Sequence, residues 1–297
     1  VGSEMCIRDR PYTPAVSERL VLNAGDYGLA VQERAELIML SDIAGYVGAD
    51  TCGCLLAIRQ DQQEEISLMI DIGTNGEMVL GNRERMVTCS TAAGPAFEGA
   101  KIECGMRGAA GAVDHVKYED GKWNYTTVGN KPAVGLCGSG LIDLVAGLLD
   151  AGMLDENGVL RSGQEKQGVF ILVLPERGGN ERGVYLTQKD LGEVQLAKAA
   201  IAAGIQMLME RLGITEDDIC SVYIAGAFGN YMDPVSAGKI GLFPATLVKK
   251  VKPVGNAAGE GAKIALVNEK EMLEMDELVR NCLLYTSDAA DEEDSVD

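Results

Sequence analysis

The sequence is poor in residue types that common active sites require. Its 297 residues include one histidine, one tryptophan and four phenylalanines. A Ser-His-Asp triad or a histidine-rich metal site therefore has little support, and His115, in a polar alternating stretch, is expected to be a solvated residue of a surface hairpin. The core must consist mostly of Val, Ile, Leu, Ala and Met, which is typical of a soluble α/β protein.

Clustered thiols, long apolar runs and basic patches are lacking as well. The eight cysteines are scattered and include no C-x-x-C pair, which indicates buried free thiols rather than a zinc or iron-sulfur site. No apolar run approaches the roughly 18 to 20 residues that span a bilayer, and no segment has the pattern of a secretory signal, so we expect a cytoplasmic protein. The formal net charge of -19 argues against nucleic acid and anionic membranes as partners.

The two ends of the chain differ from its middle. Val1–Arg10 and Cys282–Asp297 both resemble translated sequencing-adapter sequence of the kind that flanks metagenomic fragments. We therefore leave residues 1–10 and 282–297 out of fold reasoning. The remainder divides into 11–65, expected to be the end of a preceding domain with a connecting helix, and a main domain at 66–281.

The most informative stretch is ISLMIDIGTNGEMVL, Ile66–Leu80. An apolar run delivers Asp71 into a short polar turn and a second apolar run, beginning after Glu77, leaves it, which predicts strand, turn and strand. The turn consists of Gly73, Thr74, Asn75 and Gly76. Its glycines let backbone N–H groups approach a phosphate, its polar residues add donors, and Asp71 can hold Mg²⁺ through water. The alternative is an ordinary hairpin with an Asn-Gly turn.

A second strand-to-turn pattern occurs at SVYIAGAFGN, Ser221–Asn230. The small residues of this turn leave space for a flat adenine or ribose against the backbone, with an apolar wall from its phenylalanine. The residues concerned are Gly226, Ala227, Phe228, Gly229 and Asn230. The alternative is a tight connection into a helix that starts near Tyr231.

Small residues also dominate other segments of the chain. Ile38–Ile58 predicts a loop and a helix that packs closely against a neighbour, with Gly45, Gly48 and Asp50 as candidates for close contact. A further small-residue helix has Gly255, Asn256 and Gly259 at its start. The glycine-rich segment Ala92–Ala112 is expected to contact either another backbone segment or a ligand, and both interpretations stay open.

Two longer helices follow from apolar spacing. Residues 135–149 read as a glycine turn ahead of an amphipathic helix. Thr187 with Asp190 predicts the cap of a long helix that ends at Gly213.

These motifs, in this order, resemble the sugar kinase, actin and heat-shock chaperone ATPase superfamily, whose two ribonuclease-H-like domains hold ATP between them. Within it, the similarity is closer to the C-terminal region of reductive activators of corrinoid proteins. It rests on DIGTNGE, STAAGPAFEGA, CGSGLIDLV, TQKDLGEVQLAKAAI and IAGAFGNY and covers the chain from about Ile38 to about Val267. The expected fold class is therefore α/β, an actin-like ATPase domain that holds mainly the second half of the two-domain nucleotide clamp.

The resemblance implies an ATPase that drives electrons uphill from an N-terminal iron-sulfur domain to the cobalt of a corrinoid protein, from Co(II) to Co(I). It implies ATP and Mg²⁺ as cofactors, a corrinoid methyl-carrier protein and an electron donor protein as partners, and leaves a homodimer open. Asp71 then holds Mg²⁺ through water, and Gly73–Gly76 contacts the terminal phosphates. IAGAFGN resembles the adenosine motif, while Gly45–Asp50 and Gly255–Gly259 resemble the connecting segments at the hinge. The residues implied in nucleotide binding are Gly45, Asp50, Gly73, Thr74, Asn75, Gly76, Glu77, Gly226, Ala227, Phe228, Gly229, Asn230, Gly255 and Asn256.

The chain also departs from the full family pattern. One Asp-x-Gly-Thr motif occurs where the superfamily has two, and the cysteines of an iron-sulfur domain are absent. We therefore expect a fragment of a longer ATPase, with no metal cluster in this chain and the iron-sulfur cluster in the missing N-terminal domain. A chain that lacks the phosphate contacts of the missing domain should bind ATP poorly, so we expect the fragment alone to be inactive.

Three alternatives to this function stay open. A small-molecule kinase on the same fold would need an aspartate base, for which Asp143 and Asp190 are candidates, although both are more simply surface or cap residues. A dehydratase-activating ATPase would hold a cluster between subunits. Its candidate ligands are Cys52, Cys54, Cys104 and Cys137. A non-catalytic nucleotide-sensing module would use Ala92–Ala112 to bind a partner.

Overall fold

The computed structural model describes residues 16–155, 157–161, 168–226 and 229–284. The helices are α1 Ala49–Ile58, α2 Gly138–Asp150, α3 Gln188–Leu212, α4 Pro234–Ile240, α5 Ala257–Val267 and α6 Glu269–Asn281. The strands are β1 Leu20–Asn23, β2 Glu36–Met39, β3 Ser67–Ile72, β4 Gly76–Gly81, β5 Met86–Thr91, β6 Ala112–Glu119, β7 Lys122–Thr127, β8 Gly135–Leu136, β9 Val169–Val173, β10 Val184–Thr187, β11 Ser221–Ala225, β12 Val251–Gly255 and β13 Cys282–Leu284. Most of the two adapter-like end segments lies outside the described residues. None of the described helices has the length and hydrophobicity that a membrane span needs.

A mixed sheet of six strands, in the order β12-β11-β3-β4-β5-β13, forms the centre of the molecule. β3, β4 and β5 are antiparallel neighbours, whereas β11 runs parallel to β3 and β12 runs parallel to β11. Ala225 at the end of β11 is in register with both Asp71 on β3 and Gly255 on β12. The three parallel strands therefore end together, and we call this side of the sheet the carboxyl edge.

The two faces of the sheet are covered by different helices. Leu68 and Ile70 of β3 share a buried apolar cluster with residues of α3, including Ile201. Met69, which points to the opposite face, clusters with Leu55 of α1 and with α5. Because side chains alternate along a strand, Asp71 lies on the same face as Met69 and beneath α1.

Helices α1 and α5 cross in backbone contact, which confirms the close packing predicted for the helix within Ile38–Ile58. A Cβ built on Gly53 would lie 2.8 Å from the carbonyl oxygen of Ala258, and one built on Gly261 would overlap the backbone of Gly53. A larger side chain at either glycine would separate the helices. The close crossing fixes α1, and with it Asp50, over the end of β3.

The capping prediction for α3 is confirmed. Thr187 and Asp190 form a reciprocal capping box, and the helix ends at Gly213, which adopts the left-handed conformation with φ +67°. The start of α4 was predicted near Tyr231 and lies three residues later, because Asp233 caps the helix and Pro234 occupies its first position.

The helix predicted within residues 135–149 is confirmed as α2, but its predicted amphipathic character is wrong because it lacks an exposed polar face. Residues 138–148 are all buried, because the helix packs between β6 and α4. Asp143 of α2, expected at the helix surface, is only 5% exposed, and its Oδ2 lies 3.0 Å from Nδ1 of His115. His115 is therefore a partly exposed, hydrogen-bonded residue of the β6–β7 hairpin rather than a freely solvated one. Burial raises the pKa of Asp143, and hydrogen bonds from Ser236 and His115 oppose the rise.

Candidate functional site

Acidic side chains line up across the sheet at the carboxyl edge. Asp71 on β3 stands directly opposite Glu77 on β4, and Glu77 stands opposite Ser90 on β5. Residues opposite each other on neighbouring strands point to the same face with Cβ atoms about 5 Å apart. The hydroxyl of Ser90 donates to Oε1 of Glu77 at 3.2 Å. We call Asp71, Glu77 and the overlying Asp50 the acidic row.

The charges of the acidic row repel one another. Burial is the main cause that raises the pKa of Asp71, and the negative charge of Asp50 adds to it. Burial and Asp50 likewise raise the pKa of Glu77 to about 7, against the hydrogen bond from Ser90. The main charges that act on these two carboxyl groups are those of other acidic residues. An excess of negative charge without a basic partner fits a site for a cation.

The row does not chelate a metal ion by itself. Among the residues that the structure describes, no group of three or more His, Cys, Asp or Glu side chains is arranged to hold one. A cation held at the row would need further ligands from outside these side chains.

Helix α1 brings a thiol onto Asp71. Cys54 Sγ donates to Oδ2 of Asp71 at 3.6 Å, and Cys54 lies one helical turn after Asp50. Burial, followed by the charge of Asp71, raises the pKa of the Cys54 thiol well above its usual range. This cysteine is a neutral hydrogen-bond donor that fixes the carboxylate.

The second motif meets Asp71 through glycine. Gly226 has φ +92°, and a Cβ built on it would lie 3.1 Å from Oδ1 of Asp71. Its N–H donates to the carbonyl oxygen of Gly255 at 2.9 Å. Gly255 has φ +62°, and a Cβ there would lie 2.9 Å from Nδ2 of Asn230. A side chain at either position would therefore collide with a polar residue beside the acidic row.

The turn between β3 and β4 presents backbone donors. The N–H of Gly73 is used within the turn, since it donates to the carbonyl oxygen of Asn75 at 2.9 Å. Thr74 and Asn75 are exposed, and their backbone N–H groups have no acceptor among the described residues. Gly76 is buried, and a Cβ on it would lie 3.2 Å from Ile201 of α3. The exposed donors are free to bind an anion such as a phosphate.

The remaining predicted residues lie around the same edge or close to α1. Asn256 caps α5 by accepting a hydrogen bond from the N–H of Gly259 at 3.0 Å. Gly229 is buried, with Ile224 2.6 Å from the position of a Cβ. Gly45 is buried in the tight turn that precedes α1. Ala227 and Phe228 lie outside the described residues.

Three contributors to this site were not predicted for it, which are Ser90, Glu98 and Cys54, the last considered only as a cluster ligand. Cys54 follows Asp50 at helical spacing and Ser90 follows from strand register, so both carry a signal that periodicity could reveal. Glu98, whose Oε1 accepts a hydrogen bond from the Thr74 hydroxyl at 2.7 Å, lies in a segment with no periodic pattern.

The residues needed by the enzymatic alternatives are engaged elsewhere. Asp190 is fully buried in its capping box, and Asp143 is buried beneath His115. The four cysteines considered for a cluster between subunits are each buried within this chain. They are Cys52, Cys54, Cys104 and Cys137. Cys220 is exposed, contrary to the expectation that the thiols are buried.

Comparison with known proteins gives concordant matches. Residues 3–63 match the family model described as the RACo middle region, and residues 65–293 match the C-terminal domain of RACo, the ASKHA domain. The corrinoid activation enzyme RamQ from Eubacterium limosum is 36% identical in an alignment of 276 positions, which covers 88% of this chain and 46% of that protein. A reductase of Methanosarcina barkeri named for a Co(II) methylated amine-specific corrinoid protein is 31% identical over 84% of this chain and 47% of its own length.

A solved structure agrees with these relatives. A reductive activator for a corrinoid, iron-sulfur protein superposes with a TM-score of 0.87 and 38% sequence identity, over 95% of this chain and 46% of that chain. The chain thus spans less than half the length of the relatives it matches. The matches, with the sheet described above, show that the chain belongs to the RACo family and carries its ASKHA domain, which is an actin-like ATPase fold.

Proposed function

We propose that this chain is the nucleotide-binding part of an ATPase that reductively activates a corrinoid protein, from Co(II) to Co(I). The observation that carries the proposal is the acidic row at a glycine-lined carboxyl edge, next to a turn with free N–H donors. The names of the relatives support the corrinoid protein as the partner. ATP hydrolysis is then the source of driving force for an electron transfer that is otherwise unfavourable.

Each residue has a definite task in this proposal. Asp71 would hold Mg²⁺ through a water molecule, and the thiol of Cys54 holds the Asp71 carboxylate in place. The N–H groups of Thr74 and Asn75 bind a terminal phosphate, and Gly226 with Gly255 leaves room for the nucleoside. When bound, Mg²⁺ supplies positive charge that offsets both the phosphates and the acidic row.

The rest of the activity belongs to other parts of the parent protein. The first phosphate motif and an iron-sulfur cluster are expected outside this chain, so the isolated chain should bind ATP weakly and have no activity. An electron donor protein and a corrinoid methyl-carrier protein would be its cytoplasmic partners. Tight ATP binding by the isolated chain in calorimetry would contradict the proposal that this chain carries only part of the ATP site.

The test uses the full-length protein recovered from the source gene. Co(II) to Co(I) reduction of a corrinoid protein is followed spectroscopically with a low-potential donor, with and without ATP, for wild type and Asp71→Ala. Asp26→Ala serves as the matched control, because Asp26 is an exposed aspartate remote in sequence from both motifs. We expect ATP-dependent reduction in wild type and in the control, and its loss in Asp71→Ala.

The other outcomes separate the parts of the proposal. ATP turnover without corrinoid reduction would keep the ATPase and overturn the corrinoid activity, which would favour the kinase or dehydratase-activator alternative. Partner binding without any ATP turnover would favour the nucleotide-sensing module. ATP-dependent reduction that persists in Asp71→Ala would overturn the role of Asp71.

A further inference from the structure

The glycine-rich segment after β5 has a place at the phosphate turn. Oε1 of Glu98 accepts a hydrogen bond of 2.7 Å from the hydroxyl of Thr74, in the middle of the turn. A Cβ built on Gly73 would lie 3.9 Å from the same oxygen. The carboxylate of Glu98 therefore lies against the part of the turn that is expected to bind a terminal phosphate.

The local sequence holds Glu98 in this position. Its neighbours Ala96 and Phe97 are buried at 2% and 3% exposure, and the N–H of Ala100 donates to the carbonyl oxygen of Pro95 at 3.2 Å. On the other side, Gly99 has φ +82°, and a Cβ there would lie 2.6 Å from the N atom of Met106. Glu98 is thus the exposed residue of a tight turn that is anchored on both sides.

The same segment is tied to the phosphate turn at further points. The N–H of Gly94 donates to the carbonyl oxygen of Thr74 at 2.8 Å. The hydroxyl of Thr91 donates to the carbonyl oxygen of Gly76 at 3.2 Å. A displacement of the phosphate turn would therefore carry Glu98 with it, so the geometry between the two is fixed.

Glu98 differs from the acidic row in what it can still bind. Among the described residues, no lysine or arginine forms an ion pair with Glu98, and its Oε2 makes no hydrogen bond. An ionised carboxylate accepts on both oxygens, so Oε2 can accept a hydrogen bond from a water molecule. Asp71 and Glu77, in contrast, lie beneath α1, where the negative charge of Asp50 raises the pKa of both.

We propose that Glu98 is the catalytic residue that orients the attacking water in ATP hydrolysis. This role rests on the proposed function. The water oxygen forms a bond to the γ-phosphorus while the bond from that phosphorus to the β,γ-bridging oxygen breaks, and ADP leaves with the electron pair. The proton lost by the water passes to Glu98 Oε2 and then to solvent.

The test compares three variants of the full-length protein. Glu98→Gln keeps an oxygen that can accept the Thr74 hydrogen bond but removes the base, whereas Thr74→Val removes the hydrogen bond and keeps the carboxylate. Glu103→Gln is the matched control, because Glu103 lies five residues away and its carboxylate accepts from Tyr185 instead. The turnover number of ATP hydrolysis and the dissociation constant of MgATP are measured for each.

We expect Glu98→Gln to lower the turnover number about 10²-fold, the lower limit for loss of a general base. MgATP affinity should change less than about threefold, Thr74→Val should lower turnover less than Glu98→Gln does, and Glu103→Gln should match wild type.

A purely structural Glu98 gives the opposite pattern, with near-normal turnover in Glu98→Gln and a larger loss in Thr74→Val. That pattern overturns the proposal. If wild type hydrolyses ATP and Glu98→Gln is unaffected, only the role of Glu98 fails; if wild type binds no ATP, the proposed function fails with it.

Discussion

Asp190 and Asp71 are both largely buried aspartates, but they differ in the groups that surround their carboxylates. Oδ2 of Asp190 accepts from the N–H and the hydroxyl of Thr187, each at 2.9 Å, and Oδ1 accepts from the N–H of Glu103 at 2.9 Å. Asp71 has a thiol donor at 3.6 Å, and the charges around it are those of Asp50 and Glu77. One carboxylate is surrounded by donors, and the other faces like charge.

This difference separates structural from functional burial. A buried carboxylate is stable when hydrogen bonds replace the water it has lost. Asp190 meets this condition within the chain, so its role is complete in the folded protein. Asp71 does not, and its deficit is what a cation from outside would supply. The comparison predicts that replacing Asp71 lowers activity, whereas replacing Asp190 lowers stability.

The largest effect is expected at Asp71. Asp71→Asn in the full-length protein should lower Mg²⁺-dependent ATP hydrolysis about 10² to 10³-fold, because under the proposed function it removes the negative charge that would hold the ion. The free energy of unfolding should stay equal or rise, since repulsion with Asp50 and Glu77 is relieved. Steady-state kinetics and urea denaturation check the two halves. A variant that unfolds more easily and keeps its activity would show that Asp71, like Asp190, has a structural role.

Asp190→Ala should show the reverse pattern. Loss of the cap and of the acceptor for the Glu103 N–H should lower the free energy of unfolding by about 2 to 3 kcal/mol, because buried donors are left unpaired. Thr215 and Asp218 form a second capping box, which is exposed, and Asp218→Ala is the matched control with a smaller loss. Equal losses in urea denaturation would mean that burial adds nothing to the cap.

Local patterns predicted one of these two sites completely and the other in part. Thr187 and Asp190 are three residues apart, so the capping box is visible in the sequence. Asp71 and Glu77 become opposite neighbours once the hairpin is recognised, but Asp50 reaches them only because α1 crosses α5 in backbone contact. That crossing is a tertiary contact.

Two further residues show why periodicity alone was insufficient. Asp143 is polar on a helix that looked amphipathic, yet β6 and α4 cover both sides of that helix. Glu98 is placed by a turn built from buried and left-handed residues, which has no repeating pattern. In each case the deciding contact joins segments distant in sequence.

A pH-dependent effect of intermediate size is expected from Glu77. Its pKa is raised from 4.5 to about 7 in the folded chain, so the folded state binds its proton more tightly than the unfolded state. The stabilisation is fully present below pH 4.5 and is lost as the pH rises through 7, by about 3 kcal/mol. Glu77→Gln should flatten this part of the stability profile in urea denaturation between pH 4.5 and 8. A wild-type profile that rises across the window would show that the acidic row is not repulsive.

The smallest effect, and the most specific one, is expected at Gly226. Gly226→Ala places a methyl group 3.1 Å from Asp71 Oδ1 at φ +92°, whereas Gly121 has φ +75° and no atom within 4 Å of a Cβ. Both substitutions should cost about 1 kcal/mol of unfolding free energy, because alanine is strained at positive φ. Only Gly226→Ala should also weaken MgATP binding to the full-length protein in calorimetry, by displacing the carboxylate. Equal affinities in the two variants would mean that the close approach of Gly226 to Asp71 serves the fold alone.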